Sequence, residues 1–293
     1  MLKTALNWKD YRLIDAGGGE KLEQWDNVLL RRPDPQAIWP KDPSCRAWNK
    51  ADAVYHRSDR GGGKWEYRKK LPESWTISYD DLTFRVSPTG FKHTGIFPEQ
   101  AVNWDWMKGL ISSHRDEELR ILNLFAYTGG ATMACAAAGA AEVVHVDAAK
   151  GMVKWAQENR DLSNLQDCRI RFIVDDVQKF VEREKRRGRT YHGILMDPPS
   201  YGRGPDGEMW KFENSITGLI RSCMDILDPN ALFFLINSYT TGFSSIVLED
   251  LMKTILLPEF PNGTIETGEV ALPIESRKLL LPCGIYGRWQ RND

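Results

Sequence analysis

The stretch "LRILNLFAYTGGATMACAAAGAAEVVHVD", Leu119–Asp147, decides the fold. It opens on an apolar run (Leu119–Ala126), breaks at Thr128, Gly129 and Gly130, and passes through small residues suited to a closely packed helix. It ends on a second apolar run closed by an acid, Asp147. Strand, glycine turn, helix and strand in that order form the opening unit of a wound parallel sheet. Glycine lets backbone approach a ligand closely, and free amides at a helix start favour a carboxylate or phosphate. Asp147 lies 17 residues past Gly130, near the ~20-residue spacing at which an acid reaches a ribose diol in dinucleotide folds. Nicotinamide and flavin enzymes share this pattern, and a tight turn beside a solvated acid would look the same.

The alternation continues downstream. "AKGMVKWAQENRDL" and "VQKFVEREKRRG" have helical spacing, "RIRFIVDD", "YHGILMD" and "ALFFLINS" read as strands, and "FENSITGLIRSCMDIL" as a helix. Near-continuous apolar strands are those of a sheet covered on both faces, so the fold class is α/β, doubly wound and mostly parallel. Ligands of such a sheet sit at the carboxyl ends of its strands. There the third strand ends in Asp175 and Asp176. One acid of the pair can cap the next helix, and the other can accept a hydrogen bond from an adenine amino group.

The fourth strand delivers "DPPSYG", Asp197–Gly202. Proline fixes φ and donates no amide hydrogen, so Pro198–Pro199 makes a rigid corner whose carbonyls are expected to face outward unspent. Tyr201 offers a stacking surface for a flat group. "GRGPDGE" (Gly202–Glu208) reads as a mobile lid closed by Trp210.

Upstream the texture differs. Eight of the 11 tryptophans precede residue 107, among short alternating runs such as "WDNVLLRRP" and "WTISYDDLTFRVSP". This is the composition of a small antiparallel β unit. The division expected is residues 1–90 for a Trp-rich β domain and 91–293 for the α/β domain, with "FPEQAVNWDWMKGLISS" as its entry helix.

Of 293 residues 42% are hydrophobic and 27% charged, with a net charge of −1, so no global basic field draws nucleic acid. Local basic runs exist: Arg31 and Arg32; Arg57, Arg60, Lys64, Arg68, Lys69 and Lys70; Arg183, Lys185, Arg186, Arg187 and Arg189. The second is interleaved with Trp65 and Tyr67, which suits phosphate contacts plus base stacking. Five scattered cysteines show no metal knuckle or redox spacing, and no run approaches membrane-spanning length. The expectation is a cytoplasmic protein without metal or membrane partner.

"NLFAYTGGATMACAAAGAAEVVHVD", "RFIVDDVQKF" and "ILMDPPSYGRG" together resemble class I S-adenosylmethionine-dependent methyltransferases. Within that class the chain is most similar to the bacterial ribosomal large-subunit (23S) RNA methyltransferase family, whose members carry F-x-Y-T-G-G, V-D, D-D or D-A, and D-P-P-[KST]-[FY]. "FKHTGIFPEQ" (Phe91–Gln100) is similar to the family's segment just before the catalytic domain.

The resemblance implies a seven-stranded Rossmann-like sheet, S-adenosyl-L-methionine as cofactor with S-adenosyl-L-homocysteine as product, and ribosomal RNA as partner. It implies that Asn123, Phe125, Ala126, Thr128 and Gly129 hold the methionine part. Asp147 would bind the ribose hydroxyls, Ala148 would pack near the adenine ring, and the Asp175–Asp176 pair, Asp176 foremost, would take the adenine amino group. Phe97 and Gln100 would close over the methionine end. Asp197, Pro198 and Pro199 would face sulfonium and acceptor, with Tyr201 against the acceptor ring.

An activated methyl needs chiefly an aligned lone pair about 3–3.5 Å away and a dry site. That suits a chain whose histidines are scattered, with His93 the one retained as a candidate. Relatives that methylate cytosine carbon 5 place a cysteine thiolate at the end of the fifth strand. Here that position reads "LINSYTTGFS" (Leu235–Ser244) without cysteine, and Cys223 and Cys283 look buried. A nitrogen acceptor is therefore expected, with oxygen the other atom left open. The alternatives are a protein or small-molecule acceptor, a nicotinamide-dependent oxidoreductase, and a non-catalytic RNA-binding module on the same fold.

Overall fold

The computed structural model describes residues 1–292 except 59–61, 91, 205, 206, 208 and 241. Arg60 of the second basic run, Phe91 at the head of "FKHTG", and Pro205, Asp206 and Glu208 of the expected lid therefore lie outside the described residues. The chain forms two compact units, one of 1–3, 103–269 and 284–293, the other of 4–102 and 270–283. This partition differs from the textural boundary at residues 90–91, because 270–283 cluster with the front half.

In the first unit the strand order is Ile170–Val174, Glu142–Asp147, Arg120–Leu124, Gly193–Met196, Phe233–Ser238, then Leu279–Arg291 and Gly263–Ile274, of which residues 284–291 and 263–269 belong to this unit. The first five strands run parallel, and Leu279–Arg291 pairs antiparallel with Phe233–Ser238. Side chains alternate across a strand, and both alternations are apolar here. Leu122, Leu124, Val144, Val146, Ile194, Met196, Phe234 and Ile236 join one core with helices Val177–Arg186, Phe212–Met224 and Ser245–Ile255. The other face meets helices Ala101–Ser113, Gly130–Ala137 and Lys150–Leu162, through Trp106 on Phe233, Thr132 on Asn123, and Arg160 over Phe172. Each fully buried Val, Leu, Ile or Phe contributes about 1.5–3 kcal/mol. Helices on both faces make the sheet doubly wound. The sequence reading stopped at Phe233–Ser238; the helix Ser245–Ile255 and the two long C-terminal strands complete the seven.

The second unit holds strands Tyr11–Gly17, Glu20–Trp25, Val28–Pro33, Ala53–Arg57 and Gly63–Tyr67 in that order. They pair antiparallel apart from a short parallel contact of Leu30 with Ala53. A hairpin of Trp75–Tyr79 and Leu82–Val86 stands beside this sheet in the chain order. The tryptophans here serve packing. Trp25 is wholly buried against Tyr11, with ring centroids 4.7 Å apart. Trp39, Trp48, Trp65 and Trp75 donate their indole hydrogens to Ala16 O, Asp15 Oδ2, Thr89 O and Trp25 O. Glu23 is buried with Arg32, which binds both its oxygens at 2.6 and 2.7 Å. Burial would raise that carboxyl, but the Arg32 and Lys21 charges outweigh it and hold it down to about 2.

Candidate active site

The turn after Arg120–Leu124 is built on alternating backbone handedness. Phe125, Tyr127 and Gly129 have φ of 56°, 51° and 85°, an arrangement that gathers successive amides into an anion-accepting concavity. For Phe125 and Tyr127 the left-handed region costs about 1–2 kcal/mol each. Four hydrogen bonds hold the turn: Ala126 N to Val146 O, Gly129 N to Ala126 O, Tyr127 N to Asp147 Oδ2, and Asn159 Nδ2 to Thr128 O, all 2.8–3.0 Å. At Gly129 a Cβ would also crowd Met133 Cε at 3.0 Å and Ala156 Cβ at 3.1 Å, so glycine is required there.

Asn123, expected at the cofactor, is buried one step inside. Its Nδ2 donates to Thr132 Oγ1 at 2.9 Å, and that hydroxyl meets His145 Nδ1 at 3.0 Å. Burial pulls the His145 ring down to about 3, so it stays neutral and accepts the Thr132 hydrogen. Thr132 and His145 were not singled out from sequence as supports of this turn; their only trace there was a polar pair inside an apolar setting.

Asp147 binds two amides, Tyr127 N at Oδ2 and Ala149 N at Oδ1, both 2.8 Å. Burial raises its pKa above 3.8, and the two amides oppose that rise. A carboxylate has about four lone-pair positions, so two remain for donors such as vicinal hydroxyls. Ala148 beside it is half-buried.

The next strand contributes the acid pair. Asp175 N donates to Asp147 O at 3.2 Å, which seats the pair next to Asp147. Asp175 spends Oδ1 on the Asp176 amide and Oδ2 on Arg183 at 2.5 Å. Asp176 caps helix Val177–Arg186 through Oδ1, accepting from Lys179 N at 2.9 Å. The capping acid is thus the residue expected at adenine, and its Oδ2 is the oxygen left for that task.

Val146, Leu124 and Met196 share one rung of the sheet. Asp147, Phe125 and Asp197 follow that rung on three neighbouring strands, so Asp147 and Asp197 leave the sheet about 10 Å apart on one rim. At the corner Pro198 is buried while Pro199, Ser200 and Tyr201 are exposed. Two expectations need correction. Pro199 O is spent, accepting from Trp210 Nε1 at 2.6 Å. Gly202–Glu208 is not a loose lid at its base, because Tyr201–Arg203 and Met209–Lys211 pair as an antiparallel hairpin. The ring of Trp210 packs on Phe125 at 4.9 Å. A small β-ladder formed because Gly202 faces Trp210, whose indole bonds the corner. Thr240, past the end of Phe233–Ser238, donates to Ser200 Oγ at 2.9 Å.

Phe97 and Gln100 belong to the second unit, where Pro98–Gln100 is a 3-10 turn and Trp8 Nε1 donates to Pro98 O at 2.9 Å. His93 lies 5.4 Å from Phe97, and burial together with the Arg32, Lys92 and Lys21 charges pulls it down to about 4. Cys223 is fully buried, and burial raises its thiol far out of nucleophilic range. Cys283, expected buried, is half-buried.

The donor set fits S-adenosylmethionine. The ribose diol and the adenine amino group are donors and would find acceptors in the carboxylate oxygens of Asp147 and Asp176. The methionine carboxylate is an acceptor and would need amides of the 125–130 turn other than those of Ala126, Tyr127 and Gly129, which the fold already uses.

Residues 43–254 match the family model of S-adenosylmethionine-dependent methyltransferases. Ribosomal RNA large subunit methyltransferase I of Cronobacter sakazakii is 34% identical over 289 residues, 87% of this chain and 68% of that protein. Ribosomal RNA large subunit methyltransferase K/L of Syntrophotalea carbinolica is 29% identical over 195 residues, 66% of this chain and 25% of that protein. Across three of the curated relatives matched, the chain spans from 19% to 65% of their length. The crystal structure of the SAM-dependent methyltransferase from Agrobacterium tumefaciens superposes with a TM-score of 0.94 at 36% identity, covering 100% of this chain and 94% of that one.

Proposed function

The chain belongs to the S-adenosylmethionine-dependent methyltransferase family, and from that premise we propose that it methylates a ring or amino nitrogen of a ribosomal RNA base. Family membership removes the oxidoreductase alternative. When bound, the cofactor supplies a methyl already activated by a sulfonium. The protein's part is to hold, align and dry.

In this reading Asp147 binds the ribose hydroxyls with the lone pairs its two amides leave over. Asp176 takes the adenine amino group at Oδ2 while it caps its helix at Oδ1. The 125–130 turn takes the methionine carboxylate with backbone amides other than those of Ala126, Tyr127 and Gly129, which its own hydrogen bonds use. Asp197 accepts an N–H of the base, which fixes the nitrogen lone pair toward the methyl. During methyl transfer the Asp197 carboxylate would accept the proton that the nitrogen gives up and pass it to water. Tyr201 stacks on the base, and the Trp210–Phe125 contact keeps water from the corner.

The observation that carries the choice of nitrogen is the end of the fifth strand. Ser238, Tyr239 and Thr240 stand there in place of a thiol, and Cys223 is sealed in the core. Carbon 5 of cytosine needs a covalent nucleophile; a base nitrogen does not. Ribosomal RNA as acceptor is supported by the relatives' own substrates. The test is transfer of labelled methyl to ribosomal RNA from a strain lacking the gene, followed by mass spectrometry of the nucleosides. An N-methylated base is expected. A C-methylated base, or label in protein only, would refute the reading.

A further inference from the structure

Three runs of basic residues stand out in the sequence, and the structure treats them unequally. Arg31 is bidentate to Glu20 and Arg32 to Glu23. On the 177–189 segment Arg183, Lys185, Arg187 and Arg189 pair with Asp175, Asp225, Glu184 and Glu142. Within the second run Arg68 pairs with Glu66 and Lys69 with Asp52. Arg57, Lys64 and Lys70 are different. All three are exposed, and among the described residues no carboxylate pairs with them.

These three lie on or beside the strands Ala53–Arg57 and Gly63–Tyr67, the latter last in its sheet and so an open edge. Their register sets Arg57 opposite Gly63, Tyr55 opposite Trp65, and Ala53 opposite Tyr67. Directly opposed residues share a face, so Arg57, Trp65 and Tyr67 line one side while Lys64 lines the other. A Cβ at Gly63 would meet His56 O at 2.2 Å and the Tyr55 ring at 2.7 Å, which keeps the strand bare beside Arg57. Trp65 is anchored, with Nε1 on Thr89 O at 2.8 Å and its ring edge-on to Tyr55. Tyr67 is 55% exposed.

We propose that this edge hairpin grips the RNA substrate, with Arg57, Lys64 and Lys70 on phosphates and Tyr67 under an unpaired base. The proposal rests on the RNA reading above. Unneutralised cations without carboxylate partners are what a polyphosphate rewards through counterion release. Tyr67, exposed on the same face as Arg57, adds stacking, which an acidic peptide would not use.

The experiment measures binding of protein-free ribosomal RNA to the full chain by filter retention across a salt series. The variants are R57E/K64E/K70E and Y67A, and calorimetry with S-adenosylhomocysteine checks each for an intact first unit. The triple variant is expected to lose affinity at least ~10-fold and its log–log salt slope to fall by ~2–3, about 0.7–0.9 per lost phosphate contact. Y67A is expected to lose ~5–100-fold with the slope unchanged. If both variants bind RNA as the wild type does, the hairpin proposal fails while methyl transfer to RNA can still stand. If polyglutamate competes as well as RNA and Y67A has no effect, the surface is a general anion patch and the proposal fails. If the wild type neither binds nor methylates RNA, the functional reading falls and takes this surface with it.

Discussion

The strand Glu142–Asp147 begins and ends in a carboxylate, and the two acids are treated in opposite ways. Glu142 is 2% exposed and surrounded by arginines, with Arg189 in direct contact and Arg169 at 3.2 Å. Asp147 is half-buried and touched only by backbone amides in the hydrogen bonds that define it. Glu142 is neutralised by its arginines and serves stability. Asp147 is fixed in place by neutral donors and keeps acceptor capacity at the rim. A useful acid in this fold is one that is oriented without being neutralised.

The largest expected effect is on Asp147. Removing an acceptor of two hydroxyl hydrogen bonds, each about 1.5–3 kcal/mol when one partner is charged, should weaken S-adenosylhomocysteine binding in Asp147→Ala at least ~100-fold by calorimetry. Its fold should lose about 1 kcal/mol or less in urea. The pH dependence sharpens the point. Burial raises the folded pKa of Asp147 above 3.8. Its contribution to stability is thus present below the unfolded value and lost as pH rises through the folded one. Binding needs the carboxylate and runs the other way, weakening as pH falls through that raised value. An affinity flat from pH 7 to pH 4 would break the contrast.

Glu142→Gln should do the converse. Uncompensated arginines at a buried site cost about 3 kcal/mol, read from urea denaturation, with binding of S-adenosylhomocysteine by the folded fraction unchanged. A loss of binding as large as that of Asp147→Ala would mean the two ends of the strand are not separate in role.

Next in size is Trp210. Trp210→Ala frees the corner from Phe125, and misplacement of about 1 Å can cost ~100-fold; kcat for methyl transfer should fall ~10–100-fold with cofactor affinity little altered. Trp210→Phe keeps the ring contact, loses the bond to Pro199 O worth about 1 kcal/mol, and should lose only ~5-fold. Equal losses in both would assign the effect to the hydrogen bond alone.

The smallest effect separates the two duties of Asp176. Asp176→Ser keeps a capping oxygen, while Asp176→Ala loses about 1 kcal/mol of stability. Both lose the adenine acceptor, so S-adenosylhomocysteine affinity should fall ~5–10-fold in each. If only Asp176→Ala binds less tightly, the residue is a cap and no more.

Much of the candidate rim was legible in the sequence because it lies where strands end. Asp147, Asp176 and Asp197 each close an apolar run, and a parallel sheet must bring such closures to one edge. The turn at Phe125–Gly129 was legible through its glycines. Asn123 misled, since a polar residue near a strand end looks the same in sequence whether it faces a ligand or, as here, Thr132 in the core. The choice between Asp175 and Asp176 as cap could not be read from two adjacent identical letters. Arg183, one turn into the next helix, claims Asp175, and Lys179's amide claims Asp176. The same holds for the C-terminal strands, whose pairing partner Phe233–Ser238 is chosen by the assembled sheet and not by their own residues.

The amino-acid order alone determined the winding of the α/β unit and the rim to which its strand ends come. Those follow from periodicity, chirality and glycine stereochemistry, which act over a few neighbouring residues. Only the tertiary structure decided which charges are spent. Arg189 is silenced by Glu142, 47 positions away, and Pro199 by Trp210, while Arg57 keeps its charge exposed. Neutralisation depends on distance and solvent access between residues remote in the chain, and neither quantity exists until the chain has folded.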